Sequence, residues 1–181
     1  MKLNLTQGGK SVDIAELFDG IQAGSGFVLA SKEHCKAMDK IAALVKVRER
    51  TAHECLVRLE GAGFESDVAQ RAVQRAVECG LVDDQRYAAA LIKGKVNQGW
   101  GRRKIVMRLQ QDGVSDEVVF ACEGLFASGQ EEYDRAMHEL GKKSVQSKNP
   151  RATLVRRLLQ RGYSQDLAFR AVDDFMAQER Q

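Results

Sequence analysis

Apolar residues in this chain return every three or four positions, which is the spacing of one buried face of an α-helix. Tyr87, Leu91 and Ile92 follow this spacing in one segment, and Ile105 and Leu109 follow it in the next. Asp83 and Asp84 stand before the first of these segments, where acidic residues cap a helix and favour its first turn. The pattern therefore predicts two consecutive helices, and the same pattern recurs along most of the chain.

The helical pattern is repeated three times around a glycine. Gly63, Gly113 and Gly162 lie 50 and 49 residues apart, and each follows an arginine by five residues and a leucine by four. A glycine at this point is typical of the position just after a helix, where a left-handed residue is needed. Each glycine is followed by a serine that can cap the next helix, namely Ser66, Ser115 and Ser164. A unit of helix, helix, glycine corner and helix is therefore predicted three times.

We predict an all-α fold of three tandem three-helix repeats, at residues 35–82, 83–128 and 129–181. The helices are expected near residues 32–47, 51–62 and 66–79, then 84–98, 102–112 and 115–127, and finally 130–143, 150–161 and 164–180. Thr51 and Glu54 form a capping-box pattern, and Pro150 suits the first turn of a helix. Because such small units cannot each bury a core alone, they are expected to stack into an elongated, curved helical array.

Residues 1–34 differ in character from the repeats and are interpreted as an N-terminal appendage. Ser11 can cap a short helix that ends at Gly24 and carries an apolar stripe of Ile14, Leu17, Phe18 and Ile21. The sequence leaves open whether this segment packs on the first repeat, contacts a partner or is partly disordered.

Composition supports a folded helical protein. The chain has 181 residues, of which 44% are hydrophobic, and a single proline. Its four cysteines form no Cys-x-x-Cys pair and its three histidines share no spacing, so we predict buried thiols and no metal site. The sequence has neither a signal-peptide pattern nor an apolar run long enough to span a membrane, which predicts a cytoplasmic protein, expected to be a monomer.

Positive charge is concentrated in two blocks. Residues 86–111 and 142–161 contain no aspartate or glutamate, whereas the stretch between them is rich in acids. Because the net charge is only +3, the positions of the charged residues carry more information than the net charge does. The blocks indicate either a surface that binds an anionic partner or the solvated outer face of a helical protein. The candidate partner-binding residues are Lys93, Lys95, Trp100, Arg102, Arg103, Lys104, Arg108, Lys142, Lys143, Arg151, Arg156, Arg157 and Arg161.

Trp100 lies between two glycines at the corner of the second repeat. Two interpretations are open: the indole closes the helix corner against Ile105, or it is an exposed interface anchor. The Gly99-Trp100-Gly101 sequence is too short to cradle phosphates as a P-loop does, and no nucleophile, base or metal constellation appears elsewhere. The sequence therefore does not favour an enzyme.

Four motifs resemble the RecX family of RecA modulators. They are Gly80-Leu81-Val82-Asp83-Asp84-x-Arg86-Tyr87, then Gly99-x-Gly101-x-x-Lys104-Ile105-x-x-x-Leu109-x-x-x-Gly113, then Arg161-Gly162-Tyr163, and also Arg48-Glu49-Arg50-Thr51-x-x-Glu54. The motifs occur in the family's order and spacing, and the resemblance spans about residues 36 to 178.

This resemblance implies a non-enzymatic protein that binds in the groove of the RecA filament on DNA and limits strand exchange and ATP turnover in DNA repair and recombination. It implies no cofactor and leaves a direct contact with single- or double-stranded DNA open. The alternative is a free-standing DNA-binding regulator, because short helix-corner-helix units beside basic patches also describe helix-turn-helix proteins. Basic charge spread over two repeats and alternating with acids favours the filament partner over a single recognition helix.

Overall fold

The computed structural model describes residues 6–7, 10–11, 25–126, 128–142 and 145–178, with side chains from residue 32 onward. Within these ranges, the regular structure is helical apart from one antiparallel pair of two-residue strands, β1 (Thr6–Gln7) and β2 (Lys10–Ser11). The predicted all-α class is confirmed. The predicted helix of residues Ile14 to Ile21 lies outside the described residues.

The helices form three consecutive triplets. The first triplet is α1 (Ser25–Val47), α2 (Ala52–Glu60) and α3 (Ser66–Glu78), the second is α4 (Asp84–Asn97), α5 (Arg102–Gln111) and α6 (Asp116–Ala121), and the third is α7 (Gly129–Gly141), α8 (Pro150–Arg161) and α9 (Gln165–Gln178). Helices pack extensively only with members of their own triplet in the described part of the chain. The tandem three-helix repeat predicted from the sequence is therefore present.

Two helices differ from their predicted extents. Helix α1 begins at Ser25, so it crosses the boundary expected between residues 34 and 35. Helix α6 ends at Ala121 instead of continuing to residue 127, and a 3-10 turn, Glu123–Leu125, follows it. The change occurs where the N–H of Cys122 is shared between two carbonyls, just before Gly124, a poor helix former.

The glycine corners adopt the predicted conformation. Gly63, Gly113 and Gly162 have φ values of 88°, 80° and 91°, in the left-handed region that favours glycine. The N–H of Val118 donates to Ser115 and that of Leu167 to Ser164, as expected of N-caps. The expectation was wrong for Ser66, because Glu65 precedes α3 and the Ser66 hydroxyl donates to Glu60 instead.

Each triplet has its own apolar core, which corrects the expectation that units of this size could not bury one alone. Ile41 and Leu59 are fully buried in the first triplet, Ile92 and Leu109 in the second, and Leu158 in the third. A core of about ten small and branched side chains, as in the first cluster, is enough for three short helices to pack. The contacts between units are made by other groups.

Candidate protein-binding surface

The first and second units are joined where helix α2 begins. The Thr51 hydroxyl donates to the carbonyl of Asp112, the residue before Gly113, at 2.7 Å. The N–H of Ala52 donates to the Asp84 carboxylate at 2.8 Å. Asp84 is therefore more than a first-turn residue of α4, and burial raises the pKa of its carboxyl group. Asp83 has the predicted cap role, accepting from the N–H of Arg86.

The second and third units are joined where helix α5 begins. The N–H of Gly101 donates to the carbonyl of Arg161 at 2.9 Å, and the N–H of Arg103 donates to that of Gly162 at 3.0 Å. A Cβ atom at Gly101 would overlap the backbone of Gly162. The buried hydroxyl of Tyr163 donates to the carbonyl of Gly99 at 3.2 Å. The Gly-Trp-Gly corner is thus a joint between units.

The two joints use equivalent positions. Thr51 and Gly101 each lie twelve residues before the glycine of their own unit, and each donates to the carbonyl just before the glycine of the next unit. The start of α2 therefore meets the end of α5, and the start of α5 meets the end of α8. This end-to-end arrangement brings the positive end of one helix dipole to the negative end of the next, which is favourable.

Trp100 packs at the second joint and is partly buried against the core of its own unit. The ammonium groups of Lys95 and Lys104 lie over the indole ring, 4.8 and 4.2 Å from its centroid. These are cation–π contacts. The packing agrees with the interpretation that Trp100 closes the corner, and it places two of the predicted partner-binding lysines on the same ring.

Glu139 on α7 neutralises two cations predicted to bind a partner. Its side chain is only 4% exposed, and its carboxylate pairs with Lys142 and with Arg161, the latter at 3.2 Å. The same side chain lies against Gly99, where a Cβ atom would overlap it. Because an unpaired buried carboxylate is costly, Lys142 and Arg161 stabilise the second joint.

Three other predicted cations also have acidic partners. Arg102 pairs with Glu123 at 2.6 Å, Arg108 with Asp112 at 2.8 Å, and Arg151 with Asp173 at 2.7 Å. Hydrogen bonding to Arg151 lowers the pKa of Asp173. The absence of acids within the two blocks therefore does not leave these cations unpaired, since acids from other elements, or from just beyond the block, supply the counter-charges.

Only some of the candidate partner-binding cations are without a partner inside the described part of the protein. Lys93, Arg103 and Arg156 are exposed, and their side chains make no salt bridge or hydrogen bond within the described residues. Arg157 is partly buried on α8, and Lys143 lies outside the described residues. Arg103 and Arg156 lie on α5 and α8, two of the helices that meet end to end.

Exposed apolar side chains lie on the same helices as these cations, and none of them was predicted from the sequence. Met107 on α5 is 58% exposed, and Val57 on α2 and Leu159 on α8 are also exposed. Val57 and Met107 occupy equivalent positions, six residues before their glycines, and Met107 lies one helical turn after Arg103. The repeat spacing could have revealed Val57 and Met107, because an apolar residue just before the repeated arginine cannot face the same core as the leucine that follows that arginine. We call Val57, Arg103, Met107, Arg156 and Leu159 the middle-helix face.

The described part of the chain gives little support for a metal site, a membrane-spanning helix or a nucleophilic thiol. It holds no group of three or more His, Cys, Asp or Glu side chains that could bind a metal. None of its helices combines the length and the apolar character needed to cross a bilayer. Burial raises the pKa of the Cys55 thiol to about 11, which makes it a poor nucleophile.

Sequence comparison places this architecture among known proteins. The family model for the second three-helix domain of RecX matches residues 83–121. Regulatory protein RecX of Mycobacterium ulcerans is 34% identical over 145 residues, covering 76% of this chain and 83% of that protein. The chain belongs to the RecX family. Regulatory protein RecX of Mycolicibacterium smegmatis is 29% identical over 147 residues, covering 76% of this chain and 78% of the relative.

Solved RecX structures share the fold. The crystal structure of RecX from Lactobacillus salivarius superimposes with a TM-score of 0.71 at 16% identity, covering 81% of this chain and 99% of that one. A second crystal structure of a regulatory protein RecX gives a TM-score of 0.73 at 16% identity, covering 94% and 92% of the two chains. The resemblance stated from sequence motifs is thus confirmed at the level of family and fold.

Proposed function

We propose that this chain is a non-enzymatic regulator that binds the filament of the RecA recombinase and limits its ATP turnover and strand exchange during DNA repair and recombination in the cytoplasm. Family membership supports the regulatory role. The middle-helix face supports the mode of binding, because it combines apolar side chains with cations along helices that meet end to end. A filament is a repeating partner, and a linear series of similar helices suits it.

The contact is proposed to rely most on cations that have no partner within the protein. Arg103 and Arg156 can form new ion pairs without first breaking an internal one, and Met107 and Leu159 add apolar area beside them. Paired cations such as Arg102 and Arg151 would have to exchange one acid for another, so their net contribution is smaller. Lys142 and Arg161 act mainly by holding the joint against Glu139.

The test is the RecA-dependent hydrolysis of ATP on single-stranded DNA, with and without this protein. We expect the wild type to lower the rate at stoichiometric amounts, and the double variant Arg103→Glu/Arg156→Glu to lose most of this effect. The matched control is Lys40→Glu/Lys46→Glu, which makes the same change of charge at two exposed α1 lysines without salt bridges or hydrogen bonds in the described region.

Three results would contradict the proposal. One is an unchanged rate with the wild-type protein. Another is an equal loss of effect in the control variant, which would indicate a general charge effect. The third is tight, sequence-specific binding of duplex DNA without any effect on RecA, which would favour the DNA-binding regulator.

A further inference from the structure

A cleft lies beside the joint between the first and second units. Its volume is about 360 Å³, and it is lined by residues from both units, namely Arg48, His53, Glu54, Val57, Arg58, Arg108, Gln111 and Asp112. Helix α2 supplies one wall and the end of α5 supplies the other. The middle-helix face reaches this cleft only through Val57, so the cleft is a separate feature with different chemistry.

Cations outnumber acids in this cleft. Glu54 alone accepts hydrogen bonds from Arg48, at 2.8 and 3.0 Å, from Arg58, at 3.2 Å, and from Arg50. Although burial acts to raise the pKa of Glu54, the hydrogen bonds from Arg50 and Arg58 and the charge of Arg48 lower it overall. The single carboxylate of Glu54 thus accepts hydrogen bonds from three guanidinium groups.

The imbalance is increased by Arg50, which does not line the cleft but bonds to Glu54. Its side chain is only 10% exposed, and its Nε atom has no hydrogen-bond partner among the described residues. On the opposite wall, Arg108 pairs with Asp112. Among the groups that line the cleft or bond directly to them, four arginines therefore face two carboxylates. A partly buried excess of positive charge favours binding of an anion.

The arginine N–H groups that donate to no carboxylate come from both units. Arg58 and Arg108 occupy equivalent positions, five residues before their glycines, and each bonds to its carboxylate through Nε alone. Within the described residues, their terminal nitrogens donate to no carboxylate. Each side chain is about half exposed, so its terminal nitrogens remain accessible. Paired N–H donors of arginine match the oxygen spacing of a phosphate group.

We propose that this cleft binds a phosphoryl group, with Arg58 of the first unit and Arg108 of the second as its two clamps and Arg48 as a third donor. A bound phosphate supplies the missing counter-charge and bridges the two units, so it stiffens the first joint. This inference goes beyond binding of RecA and does not depend on it.

The experiment is calorimetric titration of the full chain with inorganic pyrophosphate at constant ionic strength. We expect saturable binding at one site, weakened about tenfold or more by Arg58→Gln and by Arg108→Gln, because each removes charge-assisted hydrogen bonds. Arg71→Gln is the control, since Arg71 is also half exposed and pairs with an acid four residues away, on α3. Its affinity should equal that of the wild type. Thermal unfolding of each variant checks that the fold is intact.

A short oligothymidylate identifies the source of the phosphate. If the oligothymidylate competes with pyrophosphate, and Arg58→Gln weakens the binding of both ligands, the phosphate belongs to a nucleic-acid backbone. If the oligothymidylate does not compete, the site binds a free phosphate. Both results support a phosphoryl site. No saturable binding of pyrophosphate to the wild type, equal weakening by Arg71→Gln, or tighter competition by a polyglutamate peptide would each overturn the proposal.

Discussion

The N–H of Gly101 donates to the carbonyl of Arg161 across the boundary between two units, at 2.9 Å. This bond forms because neither Gly101 nor Gly162 has a side chain to hold the two backbones apart. Close backbone approach needs no large apolar surface, which explains how units with separate cores are joined.

Replacing Gly101 with alanine should separate the second and third units. The φ angle of Gly101 is −77°, so alanine suits the backbone, but its Cβ atom would overlap Gly162. We expect the free energy of unfolding to fall by about 1–3 kcal/mol, as for other overpacked sites. The control is Gly94→Ala, at a helical glycine with open space around it, which should be neutral or stabilising by up to about 1 kcal/mol. Urea denaturation measures both, and equal effects would contradict the packing argument.

Replacing Thr51 with alanine should cost more than loss of a helix cap. The Thr51 hydroxyl caps α2 by accepting from the N–H of Glu54, and it also donates to Asp112 in the next unit. Loss of a cap costs about 0.5–2 kcal/mol, and the partly buried carbonyl of Asp112 left without its donor adds about 1 kcal/mol. Ser115→Ala is matched, since Ser115 caps α6 and its hydroxyl makes no hydrogen bond to another unit in the described residues. Chemical denaturation showing the same loss in both variants would rule out a contribution from the joint.

Replacing Glu139 with glutamine should destabilise the second joint. The buried carboxylate neutralises Lys142 and Arg161, and glutamine keeps its shape while removing its charge. We expect a loss of about 1–3 kcal/mol, reduced from the value for a fully buried pair because both cations are partly exposed. Glu123→Gln breaks the exposed pair with Arg102 and should cost at most about 1 kcal/mol. A smaller loss at Glu139 than at Glu123, measured by thermal melting, would show that the joint does not depend on this charge.

Tyr163 should make the protein sensitive to alkaline pH. Burial raises the pKa of its hydroxyl from 10.0 to about 12, so the folded state favours the protonated form. This contribution is fully present below pH 10 and is lost as the pH rises through about 12. Tyr163→Phe should lower stability below pH 10 by about 1 kcal/mol, and the difference from the wild type should shrink across this window. Denaturation at pH 8, 10 and 11.5 measures it, and a constant difference would contradict the assignment.

The local features of this fold could be predicted from sequence, and the pairing of its charges could not. Gly162 and Gly113, which follow Leu158 and Leu109 by four residues, could be predicted to be left-handed. The need for a left-handed residue at the end of a helix arises within one turn of backbone. The partner of Arg102 is Glu123, 21 residues away, and it becomes a partner only when α5 and the 3-10 turn after α6 come together. A count of charges inside one segment therefore overestimated the number of free cations. The same limit applies to Lys104, which lies against Gly162 of the next unit.

Pro150 lies twelve residues before Gly162, the interval that also separates Thr51 and Gly101 from their own glycines, but it is the first residue of α8, and the N-cap of that helix is Asn149. Its ring leaves Pro150 without an N–H, and its side chain carries no hydroxyl, so unlike Thr51 and Gly101 it cannot donate to a neighbouring carbonyl. The opposite end, at Gly63, has open space around it. The start of α8 therefore lacks, at this position, the donor on which the first two joints depend, and this makes the two ends of the described series chemically unlike.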